Sequence, residues 1–161
     1  MMSTKQKIGF SGELWAYEAL TKLGYTVTIP PDFSEECHDL TIDDRLCCEV
    51  KRANQKTRKR QLKTKVSEYP RWQWDVSAVT GKDCVLILIA VDDQGIHHPF
   101  IMPAWVMADR SNFEINSHPH DYRGFIASFL GAWEVVEFML SAQIKKSENI
   151  TMWRLMSDDN K

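Results

Sequence analysis

Hydrophobic and polar positions change period several times along this chain. Over residues 11–24 (SGELWAYEALTKLG), Leu14, Tyr17, Leu20 and Leu23 recur at helical spacing. Ser11 is placed to cap that helix and Gly24 to end it in the left-handed conformation. Residues 25–29 (YTVTI) alternate instead and stop at Pro30-Pro31, which predicts a strand followed by a loop over 30–37. Further on, RWQWDV (71–76) alternates, and CVLILIAV (84–91) is a continuous apolar run that reads as a central strand covered on both faces. DDQG (92–95) turns the chain into IHHPFIM, a strand that Pro99 pushes toward a sheet edge. Pro103 is suited to the first position of a short helix AWVMAD, and 109–121 is polar and irregular. Residues 123–143 predict a second long helix despite Gly131, and ITMWRLM (150–156) a late strand. These elements imply one α/β domain over residues 1–161, with a mixed central β-sheet flanked by helices.

The stretch CHDLTIDDRLCCEVKRAN (37–54) is the most informative. With Asp43-Asp44-Arg45 as a hairpin loop, Ile42 faces Leu46, Leu40 faces Cys48, and Asp39 lies opposite Glu49. One face then collects Leu40, Ile42, Leu46, Cys48 and Val50, all apolar. The other collects Asp39, Thr41, Cys47, Glu49 and Lys51. The register that hides every apolar side chain therefore gathers three charges on one face.

Composition narrows the setting. The chain is 43% hydrophobic and 26% charged, ordinary for a soluble protein, and no apolar run approaches the ~18 residues a membrane span needs. MMSTKQKIGF has no long apolar stretch of a secretory signal. Cys37, Cys47, Cys48 and Cys84 form no CxxC pair and match no common zinc knuckle, which suggests reduced thiols and a cytoplasmic protein. The net charge of −2 hides an asymmetry. Residues 51–65 (KRANQKTRKRQLKTK) hold eight Lys or Arg and no acid, which leaves 12 basic against 22 acidic side chains elsewhere. An acidic protein with one concentrated basic segment points to an anionic partner.

Two carboxylates at cross-strand distance repel unless a cation lies between them. A few hard oxygen ligands, with sites left for water and a phosphate, suit Mg²⁺, with Mn²⁺ as a substitute. Asp39 and Glu49 are the candidate ligands, and the backbone carbonyl of Val50 offers another oxygen. Lys51 is placed to orient or help deprotonate an attacking water and to stabilise phosphate charge. A solvated strand face with a Glu49–Lys51 salt bridge explains the same triplet without chemistry.

With GELWAYEALTKLGYTV, HDL and CEVKRA in that order, residues 9–54 resemble the PD-(D/E)XK nuclease superfamily, which includes restriction enzymes and Holliday junction resolvases. The resemblance implies a restriction-endonuclease-like fold, with Asp39 and Glu49 as metal ligands and Lys51 as the catalytic lysine. Glu13 matches the helical Glu that supports the metal site in such enzymes, although a Glu in a first helical turn is favoured by the macrodipole alone. The Pro-Asp of the superfamily name is His38-Asp39 here, which leaves the Asp in place. After residue 54 the likeness is one of architecture.

The basic segment directly follows Lys51. Arg52, Lys56, Arg58, Lys59 and Arg60, with Lys63 and Lys65 behind them, are candidate phosphate contacts. Trp72 and Trp74 read as core rather than as stacking platforms, and His97, His98, His118 and His120 lack a companion pattern. The resulting expectation is a Mg²⁺-dependent DNA endonuclease, with no membrane partner, for which cutting of two strands by one small domain favours a homodimer. The alternative is a catalytically silent nucleic-acid-binding module of the same fold.

Overall fold

The computed structural model describes residues 4–30, 38–79 and 83–143, so the strand expected at 150–156 and most of the loop at 30–37 lie outside the described residues. Helix α1 (Thr4–Lys22) leads into β1 (Val27–Thr28), β2 (Leu40–Ile42) and β3 (Leu46–Asn54). β4 (Lys56–Gln61), β5 (Val66–Asp75), β6 (Val85–Val91), β7 (His97–Pro103) and β8 (Asn112–Ile115) follow. Helix α2 spans residues 134–143.

The central sheet has the order β1-β2-β3-β6-β7. It is mixed, because β3 and β6 run parallel while the other neighbours are antiparallel. β6 is buried at all seven positions, as a continuous apolar run in a central strand requires. β7 forms an edge, where Pro99 costs no ladder bond. A smaller antiparallel sheet, β4-β5-β8, grows from the end of β3.

Each face of the central sheet is covered. On one side α1 and α2 bury Ala16, Leu20, Val136 and Leu140 against Leu40, Cys48, Val50 and Ile87. On the other side Trp72, Trp74, Phe113 and Ile115 of the small sheet pack on Ala53, Leu86 and Leu88. Both tryptophans belong to this core, and their indole N–H groups donate to Val91 O at 2.9 Å and Ile89 O at 3.3 Å. Burial of these rings is therefore compatible with hydrogen-bond satisfaction. Among the described residues no helix is long and apolar enough to cross a membrane.

Several local expectations change. α1 begins at Thr4, so Ser11 sits inside the helix instead of capping it, while Gly24 takes the expected positive φ of 96°. The helix buries Ala16 and Leu20, whereas Leu14 and Leu23 face outward. Pro103 ends β7, and the turn after it, Ala104–Met107, is a 3-10 helix. The polar stretch after residue 109 contains β8, whose Phe113 and Ile115 pair with Trp74 and Trp72.

The long helix expected over 123–143 is broken. Gly131 adopts φ 66°, its N–H donates to Pro99 O at 2.8 Å, and Leu130 bridges to Phe100. The open edge of β7 captures this segment, so the helix starts only at 134.

Candidate active site and nucleic-acid face

The β2–β3 hairpin has the register that its two-faced pattern requires: Leu40 opposite Cys48, Thr41 opposite Cys47, Ile42 opposite Leu46. The turn is made by Asp43 and Asp44 at φ 50° and 56°, with Arg45 N–H bonded to Ile42 O at 3.1 Å. Short polar side chains tolerate this left-handed region best after glycine. Asp43 also ties the hairpin to β1, because its Oδ1 accepts the Thr26 N–H at 2.8 Å.

β2 is short and β3 is long, so β3 continues past its partner. At that step Asp39 N–H donates to Cys48 O at 3.1 Å, and its Oδ2 accepts the Val50 N–H at 2.7 Å. The carboxylate thus takes over where the ladder ends. His38, next to Asp39, lies 2.8 Å from Thr41 Oγ1 through Nε2.

A cleft of about 760 Å³ opens between the end of β3 and the base of the small sheet. Glu13, Asp39, Val50 and Lys51 line it on one side, and Lys56, Gln73, Asp75 and Asn112 on the other. Glu49 lies beneath this lining, with 4% of its side chain exposed and a carboxylate oxygen 3.6 Å from the Lys51 ammonium. A carboxylate this buried requires nearby positive charge, which Lys51 provides here. Burial drives the Cys48 thiol well above its usual range, with Cys84, Asp39 and Glu49 adding to the effect.

Asp39, Glu49 and the Val50 main chain carry the donor type that a hard divalent cation prefers. Two carboxylates and a main-chain carbonyl offer only oxygen, and the cleft leaves room for water and a phosphate. Glu13 is half-buried and stands well inside α1, so the first-turn macrodipole preference does not account for it.

The basic segment is not a loop. β4 is exposed at all six positions and pairs with β5 through Lys56–Arg71, Arg58–Tyr69 and Arg60–Ser67 on one face. These six residues include no acid, but Glu114 of β8 reaches the same face, 3.9 Å from Arg58. Thr57–Pro70, Lys59–Glu68 and Gln61–Val66 make up the opposite face, where Lys59 is 3.2 Å from Glu68. Lys63 and Lys65 lie in the exposed turn closed by Leu62 N–H on Lys65 O. At the root, Arg71 grips Glu114 of β8 through Nε (3.0 Å) and one terminal nitrogen (2.6 Å). Arg52 differs from the rest: its side chain is half-buried against α1, hydrogen-bonded to Ser11.

A second constellation has no simple sequence signature. Asp92, His98 and His118 offer ligand atoms within 4.8 Å of one another. Two of them flank one turn, but His118 arrives from 20 positions further along, so only the folded chain unites them.

No family model matches the chain, and no curated protein matches it. Among solved structures it is similar to a bacterial homing endonuclease, I-Ssp6803I, at 18% identity and a TM-score of 0.60. The match covers 89% of this chain and 99% of that one. The chain therefore has a fold found in a nuclease, a mixed sheet between helices and a smaller β layer.

Proposed function

We propose that this chain is a divalent-metal-dependent DNA endonuclease of the PD-(D/E)XK type. The observation that carries the reading is the lining of one cleft by Asp39, Lys51 and Glu13, with the buried Glu49 carboxylate 3.6 Å from Lys51. The shared fold with a homing endonuclease supports it.

Asp39 and Glu49, with the Val50 carbonyl, would hold Mg²⁺ or Mn²⁺, and Glu13 would support the site from α1. A divalent ion held there would supply Lewis acidity toward a phosphoryl oxygen and lower the pKa of bound water. Asp39 is oriented for this by its bond to Val50 N–H, which fixes one carboxylate oxygen. Lys51 orients the attacking water and stabilises the charge that develops on the phosphate. As the water oxygen bonds to phosphorus and the P–O3′ bond breaks, the water's proton would pass to solvent in the open cleft and the leaving 3′ oxygen would take one from it.

DNA would lie along the cleft and up the basic ribbon. Lys56 belongs to both, since it lines the cleft and begins the face of Arg58, Arg60 and Arg71, on which Glu114 offsets part of the charge at the root. Lys59, Lys63 and Lys65 add charge at the far face and tip, and Arg52 braces α1 next to the site. A two-stranded ribbon is of a size that enters the DNA major groove. Cutting both strands with one site per chain calls for a homodimer, which the mass in solution tests.

A second reading, a silent nucleic-acid-binding module, draws on one observation: Glu49 pairs with Lys51 below the cleft instead of lining it. The experiment is cleavage of labelled duplex, branched and single-stranded DNA in Mg²⁺, Mn²⁺ or EDTA, with Asp39→Ala and Lys51→Ala alongside. Metal-dependent cutting lost in both variants is expected. Salt-dependent binding with no cutting by the folded wild type selects the binding module.

A further inference from the structure

At the far end of β6 from Glu49, three of the chain's five histidines pack ring to ring, and two of them reach the Asp92 carboxylate. Asp92 follows β6 directly, His98 stands at the start of β7, and His118 precedes the short turn Pro119–Asp121. Glu49 is level with Leu86 on β6, so Asp92 lies six residues further, about 20 Å along an extended strand. The cluster is thus separate from the candidate active site.

Its geometry is built on both sides. Asp92 Oδ1 accepts the backbone N–H groups of Gln94 (3.0 Å) and Ile96 (2.8 Å), which turns Oδ2 toward the histidines. His98 Nε2 is 2.8 Å and His118 Nε2 3.9 Å from that same oxygen. The side chains of His98 and Asp92 are each 8% exposed, while His118 leaves an entrance at 38%. The His120 ring lies parallel to that of His118 at 5.6 Å and edge-on to His98 at 5.2 Å. Trp72 packs edge-on against His118 at 6.3 Å.

We propose that Asp92, His98 and His118 form a binding site for a borderline divalent ion, with zinc the first candidate, that ties the irregular segment after β8 to the end of the β6–β7 hairpin. Two imidazoles and one carboxylate are ligands that zinc takes, and the fourth position falls to water or to His120. Bonds of about 2.0–2.2 Å at tetrahedral angles place ligand atoms roughly 3.3 Å apart. The three atoms, already within 4.8 Å, reach that arrangement with small rotations. On binding through Nε2, His118 carries its proton on Nδ1, which releases the long 3.4 Å contact from His120 N–H. Because Trp72 of β5 packs on His118, the ion would brace the root of the basic ribbon.

The test uses the tag-free full-length chain, stripped with EDTA and titrated with zinc or magnesium. Calorimetry is expected to find one zinc per chain lost in His118→Ala, and a hundredfold excess over Kd to raise Tm by about 5–10 °C; any shift produced by magnesium should instead persist in His118→Ala and disappear in Asp39→Ala. His118→Ala, at a partly exposed position, should fold and lose both this zinc and its shift. Asp39→Ala should retain both, whatever becomes of cleavage. Absence of zinc binding, or an equal zinc shift in His118→Ala, would overturn the proposal.

Discussion

Asp39 accepts the backbone N–H of Val50 at 2.7 Å, across the point where β2 ends and β3 runs on. The carboxylate completes a sheet edge and faces a cleft at the same time. Asp39→Asn keeps an acceptor oxygen for Val50, whereas Asp39→Ala leaves that N–H without this partner. Both should abolish metal-dependent cleavage. Only Asp39→Ala should also lose stability, by about 1–3 kcal/mol. Paired cleavage assays and thermal melts separate the two effects, and cutting by Asp39→Asn at the wild-type rate would contradict the assigned role.

The ribbon makes a second prediction that depends on its faces. Arg58→Ala and Arg60→Ala should weaken duplex binding and lower the salt-dependence slope by roughly 0.9 per lost phosphate contact. Lys59 lies on the other face 3.2 Å from Glu68, whereas Arg60 stands opposite Ser67 and Arg58 is 3.9 Å from Glu114, so Lys59→Ala should change the slope less than Arg60→Ala, with Arg58→Ala between them. Equal effects from all three would mean that the register of β4 against β5 does not set the contact surface.

A third prediction concerns how α1 is seated. A Cβ added at Gly12 would stand 2.9 Å from Arg52 Cβ and 3.7 Å from Val50 Cγ1. Cβ of Arg52 is fixed to the β3 backbone and cannot swing aside. Gly12→Ala should therefore cost about 1–3 kcal/mol, although alanine favours helix. Because α1 carries Glu13 to the cleft, cleavage should fall with stability. Chemical denaturation of the two proteins measures the first effect directly.

The fourth is a pH dependence at the root of the ribbon. Hydrogen bonds from Arg71, then from Asn116, hold the Glu114 carboxyl below its usual range. A folded pKa below the unfolded one gives stability that is complete above the unfolded carboxylate value and is lost as pH falls through the folded one. Glu114 is partly exposed, and screening limits the contribution to about 0.2–1 kcal/mol. Glu114→Gln should be less stable than wild type at neutral pH and should converge with it in acid. A constant difference from pH 7 to 3 would exclude this account.

Sequence by itself determined the β2–β3 hairpin, its register and the face on which Asp39, Glu49 and Lys51 stand. A strand has period two, and only one register buries Leu40, Ile42, Leu46, Cys48 and Val50 together. It also determined β6, since seven consecutive apolar residues have no other home, and the core role of Trp72 and Trp74. Where burial did not write the pattern, sequence was silent. β4 is exposed throughout, so its strand character comes from pairing with β5, and no apolar alternation marks it. The break at Gly131 depends on the free edge of β7, a partner some thirty residues distant. Glu49 beneath the cleft and Asp92, His98 and His118 around one oxygen are likewise products of tertiary structure. Periodicity records which side of an element is buried; which distant side chains share that side is decided only when the layers close.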